Sequence, residues 1–123
     1  PLADACVDAL WAWDCLEHVR SPAAVMEEGA RVLRPGGRFV AEVDIRDHFY
    51  ADEARLLDNL GYPEAVWNLM TWNRSVYTNR LRMSDWSRLF DRCGLRVVHL
   101  EPSVSPGVLA GRRDKARLLA RFA

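Results

Sequence analysis

Two short clusters in this chain of 123 residues carry side chains able to move protons or hold ligands. The first is Trp13-Asp14-Cys15-Leu16-Glu17-His18. Histidine titrates near neutral pH and can serve as a general base; the plainer role for His18 is to pack or hydrogen-bond at the start of the loop before Ser21. Asp14 suits either the wall of a pocket or a turn that caps a strand end. Cys15 would be reactive at a pocket edge, against plain packing as the simpler role. The second cluster is Asp44, Asp47 and His48. Three oxygen and nitrogen donors in a loop without a fourth are a weak metal signal, and a solvated, salt-bridged turn accounts for them better. No metal is expected.

The elements that must position these residues are legible around them. Cys6 to Trp13 is almost unbroken apolar apart from Asp8, as in a strand buried on both faces of a parallel sheet. Ser21 and Pro22 then supply an N-cap and a first helical residue. Val25, Met26, Gly29, Val32 and Leu33 share one face of the helix that follows. Glu27, Glu28, Arg31 and Arg34 take the other, with Glu27 four residues ahead of Arg31. Pro35, Gly36 and Gly37 stop the helix, and Arg38 to Val43 reads as a second strand. One βαβ unit with a right-handed crossover results. Ligands of such sheets bind beyond the carboxyl ends of the strands, which places Trp13 to Cys15 and Asp44 where chemistry is expected.

The run ADACVDALWAWDCLEHV, then RVLRPGG, then RFVAEV, closely resembles the middle of class I S-adenosylmethionine-dependent methyltransferases, in particular the small-molecule type 11 group. The likeness covers Pro1 to Asp44 and, more weakly, Ser84 to Leu100. It implies an α/β fold, a partial Rossmann-like doubly wound sheet forming the C-terminal half of the domain, with a helical insertion. It implies that Trp13, Asp14, Cys15 and Leu16 approach the methionine part of S-adenosylmethionine. Leu16 and His18 would face the reaction centre, with His18 as the candidate catalytic base. The family's main cofactor grip is a glycine-rich turn and an acidic residue closing an earlier strand. The seven glycines here form no Gly-x-Gly, so cofactor binding is expected only together with a missing N-terminal half.

Beyond Val43 the chain leaves the second strand through a charged and aromatic loop, and in the family this region carries acceptor specificity. Asp44 and His48 are therefore acceptor-site candidates by resemblance. Asp52 to Leu60 and a second helix opened by Pro63 read as a helical insertion. The segment Asn73 to Arg82 is rich in groups that hold polar or anionic ligands. It resembles a segment of bacterial methyltransferases associated with surface sugars, which makes Asn73, Arg74, Tyr77, Asn79 and Arg80 acceptor candidates; a loop whose Arg and Asn side chains satisfy backbone carbonyls is the plainer account. Ser84 is expected to cap a third helix that Gly94 closes, Leu95 to Leu100 to form a strand, and Gly111 to Phe122 a basic helix. The expected organisation is a single partial domain over 1–123: a core at 1–44, insertion and acceptor loop at 45–83, helix and strand at 84–101, and a C-terminal loop and helix at 102–123.

Composition narrows the field. Seventeen basic residues balance seventeen acidic ones, giving no net pull toward nucleic acid or membranes. Half the residues are hydrophobic and five are Trp, which argues against disorder. Cys6, Cys15 and Cys93 lie far apart with no Cys-x-x-Cys, so neither a disulfide framework nor a zinc site is supported. No signal-peptide pattern or membrane-length apolar run appears, so the expected location is the cytoplasm. The expected partners are a small-molecule acceptor and, for the strand Cys6 to Trp13, either the missing half or a second copy pairing along an open edge. A non-catalytic interaction module of the same fold is the competing reading.

Overall fold

The computed structural model describes residues 1–50, 55–75 and 77–103, which fall into two compact units. The first comprises Pro1–Ile45 with Leu81–Leu100 and the second contains Arg46–Arg80. In the first, strand β1 (Val7–Trp13) is followed by helix α1 (Pro22–Val32) and strand β2 (Leu33–Glu42), and the two strands pair in parallel. The βαβ unit expected from the sequence is therefore present.

Register explains how the sheet is used. Leu10 lies opposite Phe39 and Ala12 opposite Ala41, while Trp11 faces Val40 and Trp13 faces Glu42. Because side chains alternate along a strand, these pairs separate onto two faces. Leu10 and Phe39 meet α1 at Gly29, where an added Cβ would lie 3.3 Å from Leu10 Cδ1 and 3.7 Å from Phe39 Cε1. The other face leaves Trp11 69% and Trp13 56% exposed, their rings stacked with centroids 6.0 Å apart. The expectation of a strand buried on both faces is thus met on one face only.

Between Val7↔Leu33 and Ala9↔Arg38 the register breaks, because Arg34-Pro35-Gly36-Gly37 loops out of β2. A Cβ at position 37 would come within 2.8 Å of both the Arg34 carbonyl oxygen and Leu33 Cγ. Gly37→Ala is accordingly expected to cost about 1–3 kcal/mol, read as a lower urea midpoint with an unchanged slope.

Helix α1 begins after Ser21, although the Ser21 hydroxyl makes no capping bond. Its exposed face is stapled differently from the expected Glu27–Arg31 pair. Arg31 donates from Nε and Nη2 to the Glu28 carboxylate at 2.7 and 2.6 Å, and also pairs with Asp4. Two parallel bonds to one carboxylate suit the fixed fork of a guanidinium. Hydrogen bonding from Arg31 holds the Glu28 carboxyl below its ordinary range.

Helix α3 (Met83–Arg92) completes the core of this unit. Trp86 and Leu89 pack with Ala12, Leu16 and Met26, and Phe39, Val43 and Leu95 close around them. The helix starts earlier than Ser84, because Asp85 Oδ2 accepts from the Arg82 N–H at 2.8 Å and makes Arg82 the N-cap. That bond first, and Arg88 after it, hold the Asp85 carboxyl below its usual range against partial burial. A depressed carboxyl stabilises the fold above its unfolded pKa, about 3.9, and the contribution is lost as pH falls through the lower folded value. Asp85→Ala should therefore cost roughly 0.5–2 kcal/mol at pH 7 and progressively less in acid, measured by urea denaturation across pH. Gly94, at φ +72°, ends the helix as expected.

Leu95 to Leu100 is not a strand. Leu95 reaches the core, but Val98 is 75% exposed and Leu100 58%. A strand exists by ladder pairing, and among the described residues the sheet consists of β1 and β2 alone.

The second unit is built on Trp67, in helix α2 (Glu64–Thr71). Trp67 is 1% exposed and its indole N–H donates to the Thr78 carbonyl at 2.9 Å. Phe49 meets its ring edge-on at 5.6 Å, and Tyr62 stacks on it at 6.1 Å. The described part of the helix expected over Asp52 to Leu60 holds turns and a 3-10 turn at Asp58–Gly61 instead. The expected helix at Gly111 to Phe122 lies outside the described residues. No helix among the described residues is long and apolar enough to cross a membrane.

Candidate functional site at the end of the first strand

At the carboxyl end of β1 the backbone turns sharply. Asp14 adopts φ +45° while its N–H still donates to the Glu42 carbonyl at 3.2 Å, the last bond of the sheet. Asp tolerates this left-handed conformation better than most residues, though at a cost Gly would not bear. Asp14→Gly is therefore expected to hold or raise stability by up to about 1 kcal/mol, and Asp14→Ala to lower it by about 1 kcal/mol, in thermal melts.

The turn carries the chain into a 3-10 turn at Leu16–His18, closed by the His18 N–H donating to the Cys15 carbonyl at 3.1 Å. Trp13, Asp14 and Cys15 are exposed at its rim, and Cys15 is a free thiol. Leu16 is 3% exposed and packs with Met26 and Trp86, which anchors the turn in the core. His18 is half-buried, with Nε2 3.9 Å from Glu17 Oε1.

Glu17 is the residue that motif reading passed over. It is 1% exposed, and neither carboxylate oxygen accepts a hydrogen bond from the protein. The available signal was its position, an acidic residue beside a histidine in the turn that leaves a parallel strand.

Of the acceptor candidates, Asp44 is half-buried and belongs to the first unit. His48, Asn73, Arg74, Tyr77, Asn79 and Arg80 belong to the second. Asn73 and Arg74 are exposed, and the Tyr77 N–H donates to the Arg74 carbonyl at 3.4 Å in a turn. Arg80 is engaged within its own unit. Its Nη1 donates to the carbonyls of Tyr62 at 2.6 Å and Asn59 at 3.1 Å, it pairs with Glu64, and its guanidinium lies 5.5 Å over the Trp67 ring. The bonds to Asn59 and Tyr62 are those of a loop arginine satisfying backbone carbonyls.

Trp13 to Cys15, which the resemblance assigns to the methionine end of S-adenosylmethionine, are exposed residues at this turn. The chain supplies no glycine-rich turn for the rest.

The chain is similar to known methyltransferases. The chain is 31% identical over 128 residues to a dimethylglycine N-methyltransferase of Parasynechococcus marenigrum (strain WH8102), a match covering 89% of the chain and 43% of the relative. It is 45% identical over 47 residues to the methyltransferase GfsG of Streptomyces halstedii, covering 37% of the chain and 17% of that protein. The chain thus spans less than half the length of either relative. No solved structure gives a significant match. Residues 1–41, which contain β1, the turn, α1 and nearly all of β2, match the family described as a methyltransferase domain.

Proposed function

We propose that this chain is the C-terminal part of an S-adenosylmethionine-dependent methyltransferase domain that acts on a small-molecule or sugar-linked acceptor. The observation that carries the reading is the parallel β1–α1–β2 unit ending in a left-handed Asp14 and the Leu16–His18 turn, within the stretch that matches the methyltransferase family. The open end of a parallel strand is where α/β sheets take ligands.

The cofactor supplies a methyl group on a positively charged sulfonium. This chain's contribution is orientation and proton handling. Trp13, Asp14 and Cys15 form one wall through backbone atoms, and Leu16 fixes the turn by its burial. His18 takes the acceptor's proton when that acceptor is a hydroxyl or an amine. Asp44, His48, Asn73, Arg74, Tyr77, Asn79 and Arg80 remain the proposed acceptor side. The glycine turn and ribose-binding acid come from sequence outside these residues.

In the whole protein, His18→Ala is expected to lower kcat roughly 100-fold with the circular dichroism spectrum unchanged. Asp14→Ala should lower turnover more modestly, and Ala24→Ser on the exposed face of α1 should leave it unchanged. Full activity in both the Asp14 and His18 variants would remove the site assignment. Absence of any cofactor binding by the whole protein would favour the non-catalytic module.

A further inference from the structure

The side chain that the reading above leaves without a task is Glu17. Among the described residues, Glu17, Asp47, Asn59 and Trp86 are buried with at least one side-chain oxygen or nitrogen that makes no hydrogen bond. Three of these are partnered elsewhere or have one orphan atom. Asp47 Oδ1 accepts from the Phe49 N–H at 2.8 Å, Asn59 Nδ2 donates to Thr78 Oγ1 at 3.2 Å, and Trp86 lacks a partner at its single nitrogen. Glu17 differs in that neither of its oxygens makes a hydrogen bond at 1% exposure, its charged neighbour being His18 with Nε2 3.9 Å from Oε1. Buried carboxylates are ordinarily paired or hydrogen-bonded, because the unpaired state is among the costliest a fold can hold. A fold that keeps one has a use for it at the place where it sits.

That place is the turn at the carboxyl end of β1, one residue from His18 and three from the strained Asp14. A carboxylate has only acceptors to offer, so its complement is a group that brings donors and positive charge. We propose that Glu17 is the acceptor-holding residue and that the acceptor is a cationic amine, whose N–H groups and charge complete the two orphaned oxygens. This deepens the methyltransferase reading and rests on it for the word acceptor, but the binding claim stands on Glu17 itself. His18 Nε2, 3.9 Å from Glu17 Oε1, is close enough to sense a charge held there.

The test is a binding titration on the whole protein with two probes of nearly identical shape, the cation N,N-dimethylethanolamine and its neutral isostere 3-methylbutan-1-ol. The wild type should bind the cation at least about tenfold more tightly, and Glu17→Gln should abolish the preference while leaving the far-ultraviolet spectrum unchanged. Should Glu17→Gln fold poorly, Glu17→Met, which keeps the length and removes the charge, gives the same readout. Equal binding of both probes by the wild type would overturn the proposal. So would Mg²⁺ binding that Glu17→Gln abolishes while amine binding is absent, since the site would then be a metal site. Cofactor turnover with a neutral hydroxyl acceptor, unaffected by Glu17→Gln, would overturn this proposal and leave the methyltransferase reading standing. Failure of the whole protein to bind S-adenosylmethionine, with the charge preference at Glu17 intact, would do the reverse.

Discussion

Replacing Trp67 by alanine is expected to melt the second unit. The side chain is 1% exposed, and Phe49, Tyr62 and the Arg80 guanidinium are all arranged about its ring. Truncating a buried aromatic of this size costs about 3–5 kcal/mol, and the lost indole donor leaves the Thr78 carbonyl without its partner. Small domains have only about 5–15 kcal/mol in total, so the loss takes most of what is available. Hydrogen exchange should show amides of Asn59, Trp67 and Thr71 losing protection. Trp72→Ala is the control, because that ring is 74% exposed and its removal should change stability by less than about 0.5 kcal/mol. Retained protection in the Trp67 variant would mean that the unit is held by something other than this ring.

The second large effect concerns association. Among the described residues β1 pairs along one edge only, with β2. Its other edge offers unpaired N–H and C=O groups, and its outer face presents the stacked Trp11 and Trp13 beside Val40, which is 43% exposed. Natural edges are blunted by charge, proline or bulges. Here Asp8 is the charge, and Arg34 Nη1 already pairs with it at 2.7 Å. We expect the 123-residue chain alone to dimerise or aggregate at micromolar concentration, seen by light scattering on size exclusion. A lysine at Trp11 should shift the chain toward monomer by charging the exposed face. A cooperative, monodisperse wild-type monomer would show that the edge is covered in another way.

How far the sequence could be read follows from the range of the forces involved. The βαβ unit was legible because its signals are local: an apolar run, Ser21-Pro22 ahead of an amphipathic stretch, and Pro35-Gly36-Gly37 after it. Ser84 looks like a cap and points to a start of α3 two residues late, whereas Asp85 reaching back to the Arg82 N–H sets the boundary. Leu95 to Leu100 has strand composition, but pairing is decided by what lies beside it, which composition does not encode. The bonds that hold Arg80 were not legible, because the carbonyls it satisfies belong to Asn59 and Tyr62, 21 and 18 positions away. Glu17 has a position that the sequence shows but a weight that it does not. Its significance lies in burial without a partner, and only the folded chain displays that.

The central claim is that the end of β1 forms part of a methyltransferase cofactor and acceptor site whose principal cofactor grip lies elsewhere. Its most direct test is a titration of the isotopically labelled 123-residue chain with S-adenosylmethionine, followed amide by amide in solution. The expected result is weak binding, with a free energy no better than about −5 kcal/mol, and perturbed amides confined to Trp13 through His18 and Asp44. Affinity in the low micromolar range, about −8 kcal/mol, would contradict the claim that the main grip is outside this chain. Perturbations that spare Trp13 to His18 would contradict the site.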